Sequence, residues 1–207
     1  REPERSIATA VAHALLESAP PNAVLITGGD NDSFPAWYAQ AVEGMRPDVT
    51  VVVAPLLGTR WYRAQLARRA DLVAPEDIEL ARPEEAMLAS VAREARKRGR
   101  PVVAAITTSV SARAALGGLD VVRGAVMAER SGEPGIVRAG SDGPLVDTAA
   151  TAGMLRAVPI AAPNASDVGI DPAPATMLEY LRCPSRLLAA TRDAIAPASL
   201  DSLCKLQ

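Results

Sequence analysis

The sequence predicts an α/β domain, Rossmann-like and three-layered, with a mainly parallel sheet. Three features carry that reading: short continuous apolar runs at 23–27, 49–54 and 101–106, helical apolar spacing between them, and short connections. Continuous runs rich in β-branched residues suit strands covered on both faces, which is where crossover helices put them.

Each element has its own local cause. Ile7, Val11 and Leu15 recur at helical spacing over 3–18, and Ala19-Pro20-Pro21 stops that helix. His13 lies on the same stretch and reads as a helix-face residue. Gly28-Gly29 breaks the first strand. Asp32 or Ser33 then caps a helix with Pro35 in its first turn, where a missing N–H is tolerated. Its apolar face is Phe34, Trp37, Tyr38, Ala41, Val42 and Met45, and Gly44 and Pro47 close it.

A helix over 59–69, a short strand at 72–74 and a helix over 84–98 follow. The last carries Glu84 and Glu85 at its positive end and Arg96, Lys97 and Arg98 at its negative end. The Arg93 to Arg100 cluster reads as a solvated helix end or as a phosphate or lipid-headgroup contact. Residues 119–127 read as one strand, 131–144 and 167–174 as loops, and 176–181 and 187–195 as short helices. The chain divides into an α/β core over 1–116 and an irregular, Pro/Gly-rich part over 117–207. That second part continues the same domain or forms a small subdomain.

Composition narrows the function. The 207 residues are 49% hydrophobic, enough for a packed core. Lys plus Arg is 22 against 24 acidic residues, which argues against a nucleic-acid partner. No apolar run approaches the length of a membrane span. The chain opens at Arg1 without a leader, as expected of a processed product or of a segment of something longer.

Aromatic residues are scarce, yet Phe34, Trp37, Tyr38, Trp61 and Tyr62 share one window. They begin just beyond the Gly28-Gly29-Asp30-Asn31-Asp32-Ser33 stretch, at the carboxyl end of the first strand, where open α/β sheets bind ligands. Asp30 and Asp32 have two readings: acceptors for sugar hydroxyls or a hard cation, or a helix cap and loop tie. The stretch is neither a dinucleotide fingerprint nor a phosphate-binding loop. The aromatic face is core or a sugar-stacking surface, with Gln40, Glu43 and Gln65 polar nearby. Trp37-Tyr38-Ala39-Gln40 is echoed by Trp61-Tyr62-Arg63-Ala64-Gln65, each near the start of a helix after a strand.

The run from Gly29 to Val49 resembles the hallmark of a large polytopic membrane family long filed as a domain of unknown function. That family is related to the transmembrane-protein-260-like protein O-mannosyltransferases. Its pattern is G-D-N-D, Thr or Ser, an aromatic, P-L-W-Y-x-Q, then E-G-x-R-x-D-V. Leu56-Leu57, Trp61-Tyr62 and Gln65-Leu66 fit the continuation, and the stretch from Leu200 to Cys204 fits less specifically. Ala36 stands where the family usually has Leu, and Arg60 where relatives often have Asp.

The resemblance implies a soluble extracytoplasmic domain of a membrane-bound GT-C glycosyltransferase. Its partners are the membrane-embedded region of the same polypeptide and a polypeptide or glycan acceptor. The catalytic acidic loop of that class is not in this chain, so the segment alone is expected to be inactive and to need no cofactor. Asp30, Asn31, Asp32, Trp37, Tyr38, Gln40, Trp61, Tyr62 and Gln65 form the candidate ligand surface. On this reading Asp32→Asn abolishes binding with little loss of stability. Cys183 and Cys204 suit an oxidising compartment as a disulfide, or stand as two buried thiols.

Two other readings stay open. One is a structural docking domain with no ligand site. The other is a metal-assisted α/β hydrolase using Asp30 and Asp32, with Glu43, Asp48, Asp120 or His13 as further ligands.

Overall fold

The computed structural model describes residues 2–80, 82–130, 132, 134–158, 172–192 and 204. Helix α1 (Glu2–Ser18) leads into β1 (Val24–Thr27), α2 (Asp30–Val42) and β2 (Thr50–Val53). A 3-10 turn (Ala54–Gly58) then opens onto α3 (Arg60–Ala70), α4 (Pro75–Glu79), α5 (Glu84–Lys97), β3 (Val102–Ala105) and α6 (Val110–Leu116). The remainder comprises β4 (Leu119–Arg123), β5 (Val126–Glu129), β6 (Ile136–Arg138), β7 (Leu145–Asp147), α7 (Thr148–Ala157) and α8 (Pro172–Ala190).

Among the described residues one seven-stranded sheet runs in the order β2-β1-β3-β5-β4-β7-β6. The strands β2, β1 and β3 pair in parallel, as expected of crossover units. Beyond them the expectation of a mainly parallel sheet fails. β5 is antiparallel to both β3 and β4, and β6 is antiparallel to β7, while β4 and β7 pair in parallel. The sheet is mixed because 119–127 is a tight hairpin and not one strand.

Gly124 makes that hairpin. It takes φ +60°, and a Cβ there would meet Ser18 Oγ at 2.2 Å. Ser18 Oγ instead accepts the Ala125 N–H at 2.8 Å, and Thr151 Oγ1 accepts the Gly124 N–H at 2.9 Å. The turn is thereby tied to the end of α1 and to α7.

Alternation along the strands separates two cores. Leu25, Val51, Val103 and Ala105 pack with α1, α2, Met154 of α7 and Met177 and Leu181 of α8. Val24, Ile26, Val52, Val102 and Ala104 pack on the other face with α3, α5 and α6. Residues 72–74 form no strand. Leu72 and Val73 are buried in the second core, and the Leu72 N–H goes back to Leu66 O at 3.4 Å.

Two more expectations change. Residues 131–144 contain β6, and the two short C-terminal helices are one helix, α8, that runs through Pro184. Residues 193–195 of the expected second helix, 159–171 and most of 193–207 lie outside the described residues. Cys183 of α8 is joined to Cys204, with Cα atoms 4.5 Å apart and both side chains buried beside Leu187.

Candidate functional site

The loop after β1 is built around Asp32. Helix α2 starts at Asp30 with Gly29 as its cap residue, three to four residues before the expected cap at Asp32 or Ser33. Asp32 therefore sits at the third helical position and reaches back over its own entry. One carboxylate oxygen accepts Gly28 N–H at 2.8 Å and Thr107 Oγ1–H at 2.6 Å. The other accepts Gly29 N–H at 2.9 Å and Ser33 Oγ–H at 3.3 Å. Asp32 is 3% exposed and fully engaged. Two backbone donors at the helix N-terminus, the kind that cradles an anion, are thus already spent on a resident carboxylate.

Gly28 belongs to this lock for a steric reason: a Cβ there would lie 3.2 Å from Thr107 O and from Thr108 Cα. Gly29 differs, since its Cβ position is open and its backbone extended. Beside it is a cavity of about 180 Å³ lined by Gly28 to Asp32, Val11, Thr107 and Tyr180. Asp30 and Asn31 are exposed on its rim. Burial pushes the Tyr180 phenol above its ordinary pKa, and the Asp32 charge adds to this. Thr107 and Tyr180 had no place in the sequence reading. Thr107 follows β3, the parallel neighbour of β1, and that is the signal that would have found it.

The remaining candidate residues gather elsewhere. Trp37, Gln40, Trp61, Tyr62 and Gln65 line one groove of about 560 Å³ between α2 and α3, so the two halves of the internal echo face a common space. Tyr38 does not join them. One residue turns about 100° around a helix, and Tyr38 lies with Phe34 in a groove between α1 and α2.

Within the α2–α3 groove the residues divide by duty. Tyr62 is 2% exposed, and its hydroxyl accepts Val53 N–H at 2.9 Å. Burial raises its pKa, opposed by that hydrogen bond. Gln40 donates its amide to Val49 O at 2.7 Å and Arg46 O at 3.0 Å. Since Thr50 N–H bonds to Ala23 O, Thr50 and Val52 turn their backbone groups toward β1, and the intervening positions face outward. Gln40 and Tyr62 therefore occupy the exposed edge of β2 at both ends, which protects an edge strand from pairing with another chain. Trp61 is 56% exposed, and Trp37 and Gln65 are partly buried. Arg69, absent from the sequence reading, completes the groove.

The rest of the hallmark stretch is structural. Glu43 pairs with His13 Nε2 at 2.6 Å, joining α2 to α1. Arg46 donates to the carbonyls of Leu16, Ala19 and Pro20, closing the C-terminal end of α1. It also binds both oxygens of Asp48 at 2.9 Å. Hydrogen bonding by Arg46, helped by the Asn22 N–H, holds Asp48 well below the usual carboxylate range. Glu43 and Asp48 are thus committed to partners away from Asp30 and Asp32. The described residues contain no cluster of three or more His, Cys, Asp or Glu suited to a metal.

Geometry thus defines an α/β domain with a locked strand-end loop and an open aromatic groove. Residues 8–93 match the family model for TMEM260-associated domain 2, a stretch of less than half the chain that contains every groove residue. The match supports a relation to TMEM260-type proteins. Neither a curated protein nor a solved structure matches the chain. No helix of the described residues is long and apolar enough to cross a membrane.

Proposed function

We propose that this chain is an accessory recognition domain of a TMEM260-like membrane glycosyltransferase, extracytoplasmic and inactive in transfer on its own. The α2–α3 groove carries the reading: Trp61, Trp37 and Gln65 line one space while the neighbouring polar groups serve the fold. Indole faces beside an amide suit a sugar ring or an acceptor side chain. The likeness of residues 8–93 to TMEM260-associated domain 2 supports the family context. The protein O-mannosyltransferase chemistry of a membrane-embedded region is what the resemblance of the run from Gly29 to Val49 implies. The Cys183–Cys204 bridge supports an oxidising compartment. The parallel β2-β1-β3 unit, with helices packed on both faces, supports the Rossmann-like part of the reading.

The metal-assisted hydrolase loses its support at Asp32. Both of its oxygens already accept N–H or O–H groups, so a cation there would have to displace them. A docking role for the domain draws on the exposed Phe34, Tyr38 and Val42 stripe of α2.

Binding without turnover is the test. Ligand-observed NMR of the 207-residue chain against sugars, sugar phosphates and Ser/Thr peptides is expected to give a hit in at least one of these classes. A transfer assay with a polyprenyl-phosphate-linked sugar is expected to give no product. Silence across the panel from folded protein, or product made by the chain alone, contradicts the proposal.

A further inference from the structure

The groove between α2 and α3 also indicates what kind of molecule it takes, a step that rests on the recognition role proposed above. A groove along a sheet edge would ordinarily suit an extended peptide, held by main-chain pairing. Here Gln40 holds Val49 O and Tyr62 holds Val53 N–H, so an added strand would have to displace both.

Side chains are what the groove offers instead. Trp61, Gln65 and Arg69 recur every four residues along α3, an indole, an amide and a guanidinium on one face spanning about 12 Å. Trp37 faces them from α2. The groove lining contains no carboxylate, so Arg69 meets no acidic group there and gives the space a positive charge. Arg69 is exposed at the end of the stripe away from Trp61.

From this arrangement we infer that the groove is a saccharide site for a pyranose bearing an anionic substituent. The apolar face of the ring lies on Trp61, its hydroxyls meet the Gln65 amide, and its carboxylate or phosphate reaches Arg69. A guanidinium donates to either anion in a fixed fork, so the charge and not the element at its centre is what the site reads.

Titrations of the chain followed by ligand-observed NMR would compare methyl glucoside with methyl glucuronide and mannose with mannose 6-phosphate, alongside inorganic phosphate and a Ser/Thr peptide. The anionic sugar of each pair is expected to bind more tightly than its neutral partner, with inorganic phosphate and the peptide silent. Preference for only one anionic member assigns the charge to carboxylate or to phosphate and still supports the site. Trp61→Ala should weaken both sugars of a pair by about tenfold or more. Arg69→Gln should erase the preference for the anionic partner, with thermal melts confirming that both variants fold.

Peptide binding in the groove without sugar binding overturns this inference while leaving a recognition domain in place. Inorganic phosphate binding as tightly as a sugar phosphate overturns it too, since charge alone would then be recognised. No binding by any probe removes the inference and the recognition role together.

Discussion

The strand-end loop and one wall of the α2–α3 groove share helix α2 and the same hallmark stretch, yet loop and groove behave oppositely. In the loop, Asp32 collects four donors and is sealed from solvent. In the groove, Trp61 and Arg69 are exposed, and the residues that look most polar, Gln40 and the Tyr62 hydroxyl, are the ones bound to backbone. A dense motif is therefore not one site. Part of it holds the chain together, and the rest lines an open groove.

The largest expected effect tests the locked half. Asp32→Ala leaves the Gly28 and Gly29 N–H groups and the Thr107 hydroxyl without their acceptor, and should destabilise by about 3 kcal/mol or more in urea unfolding. Asp32→Asn places an NH₂ donor where only acceptors suit, so it too should cost stability. This replaces the sequence-based expectation that the substitution would be structurally mild. A loss under about 0.5 kcal/mol would show that the loop is not locked.

Arg46→Ala comes next, expected to lose about 2 kcal/mol by freeing three carbonyls at the end of α1. Its partner gives a pH test. Asp48 has a folded pKa depressed below its ordinary 3.8, so its contribution is fully present above that value and lost as pH falls below it. The stability gap between wild type and Asp48→Asn should be constant at neutral pH and shrink under acid. Because Asp48 is 40% exposed in its side chain, the gap should be modest.

Adjacent glycines sharpen the contrast at smaller scale. Gly28→Ala forces a methyl against the backbone of Thr107 and Thr108 and should cost about 1–2 kcal/mol. Gly29→Ala points into open space on an extended backbone and should be within about 0.5 kcal/mol of wild type. Smallest of all should be Trp61→Ala, whose side chain stands mostly in solvent: binding should fall while the melting temperature barely moves.

Much of this was legible in the sequence. The β1, β2 and β3 strands are uninterrupted apolar runs between clear breakers, so their positions were readable to within a residue or two. The β4–β5 hairpin was not, because Val121, Val122, Val126 and Met127 read as one run and only Gly124 marks the turn. β6 and β7 are three residues each, too short for alternation to register. At α2, Asp32 looked like a cap and instead reaches back from inside the helix, a choice that depends on Thr107, 75 residues away.

The site was readable in part. The echo of Trp37 to Gln40 in Trp61 to Gln65 pointed to two segments of one kind, and both line the α2–α3 groove. Nothing local could tell that Tyr62 and Gln40 would face backbone edges while Trp61 would face solvent, since that depends on which flank of β2 each helix covers. Arg69 was hidden among the arginines of α3, whose neighbour Arg63 is buried and bonded to Leu57 O and Ile78 O.

The most direct measurement is a binding comparison by ligand-observed NMR using mannose 6-phosphate with wild type, Trp61→Ala and Asp30→Ala. Binding retained in Asp30→Ala and lost in Trp61→Ala is the predicted result. Binding lost in Asp30→Ala and retained in Trp61→Ala would place recognition at the strand-end loop and contradict the account.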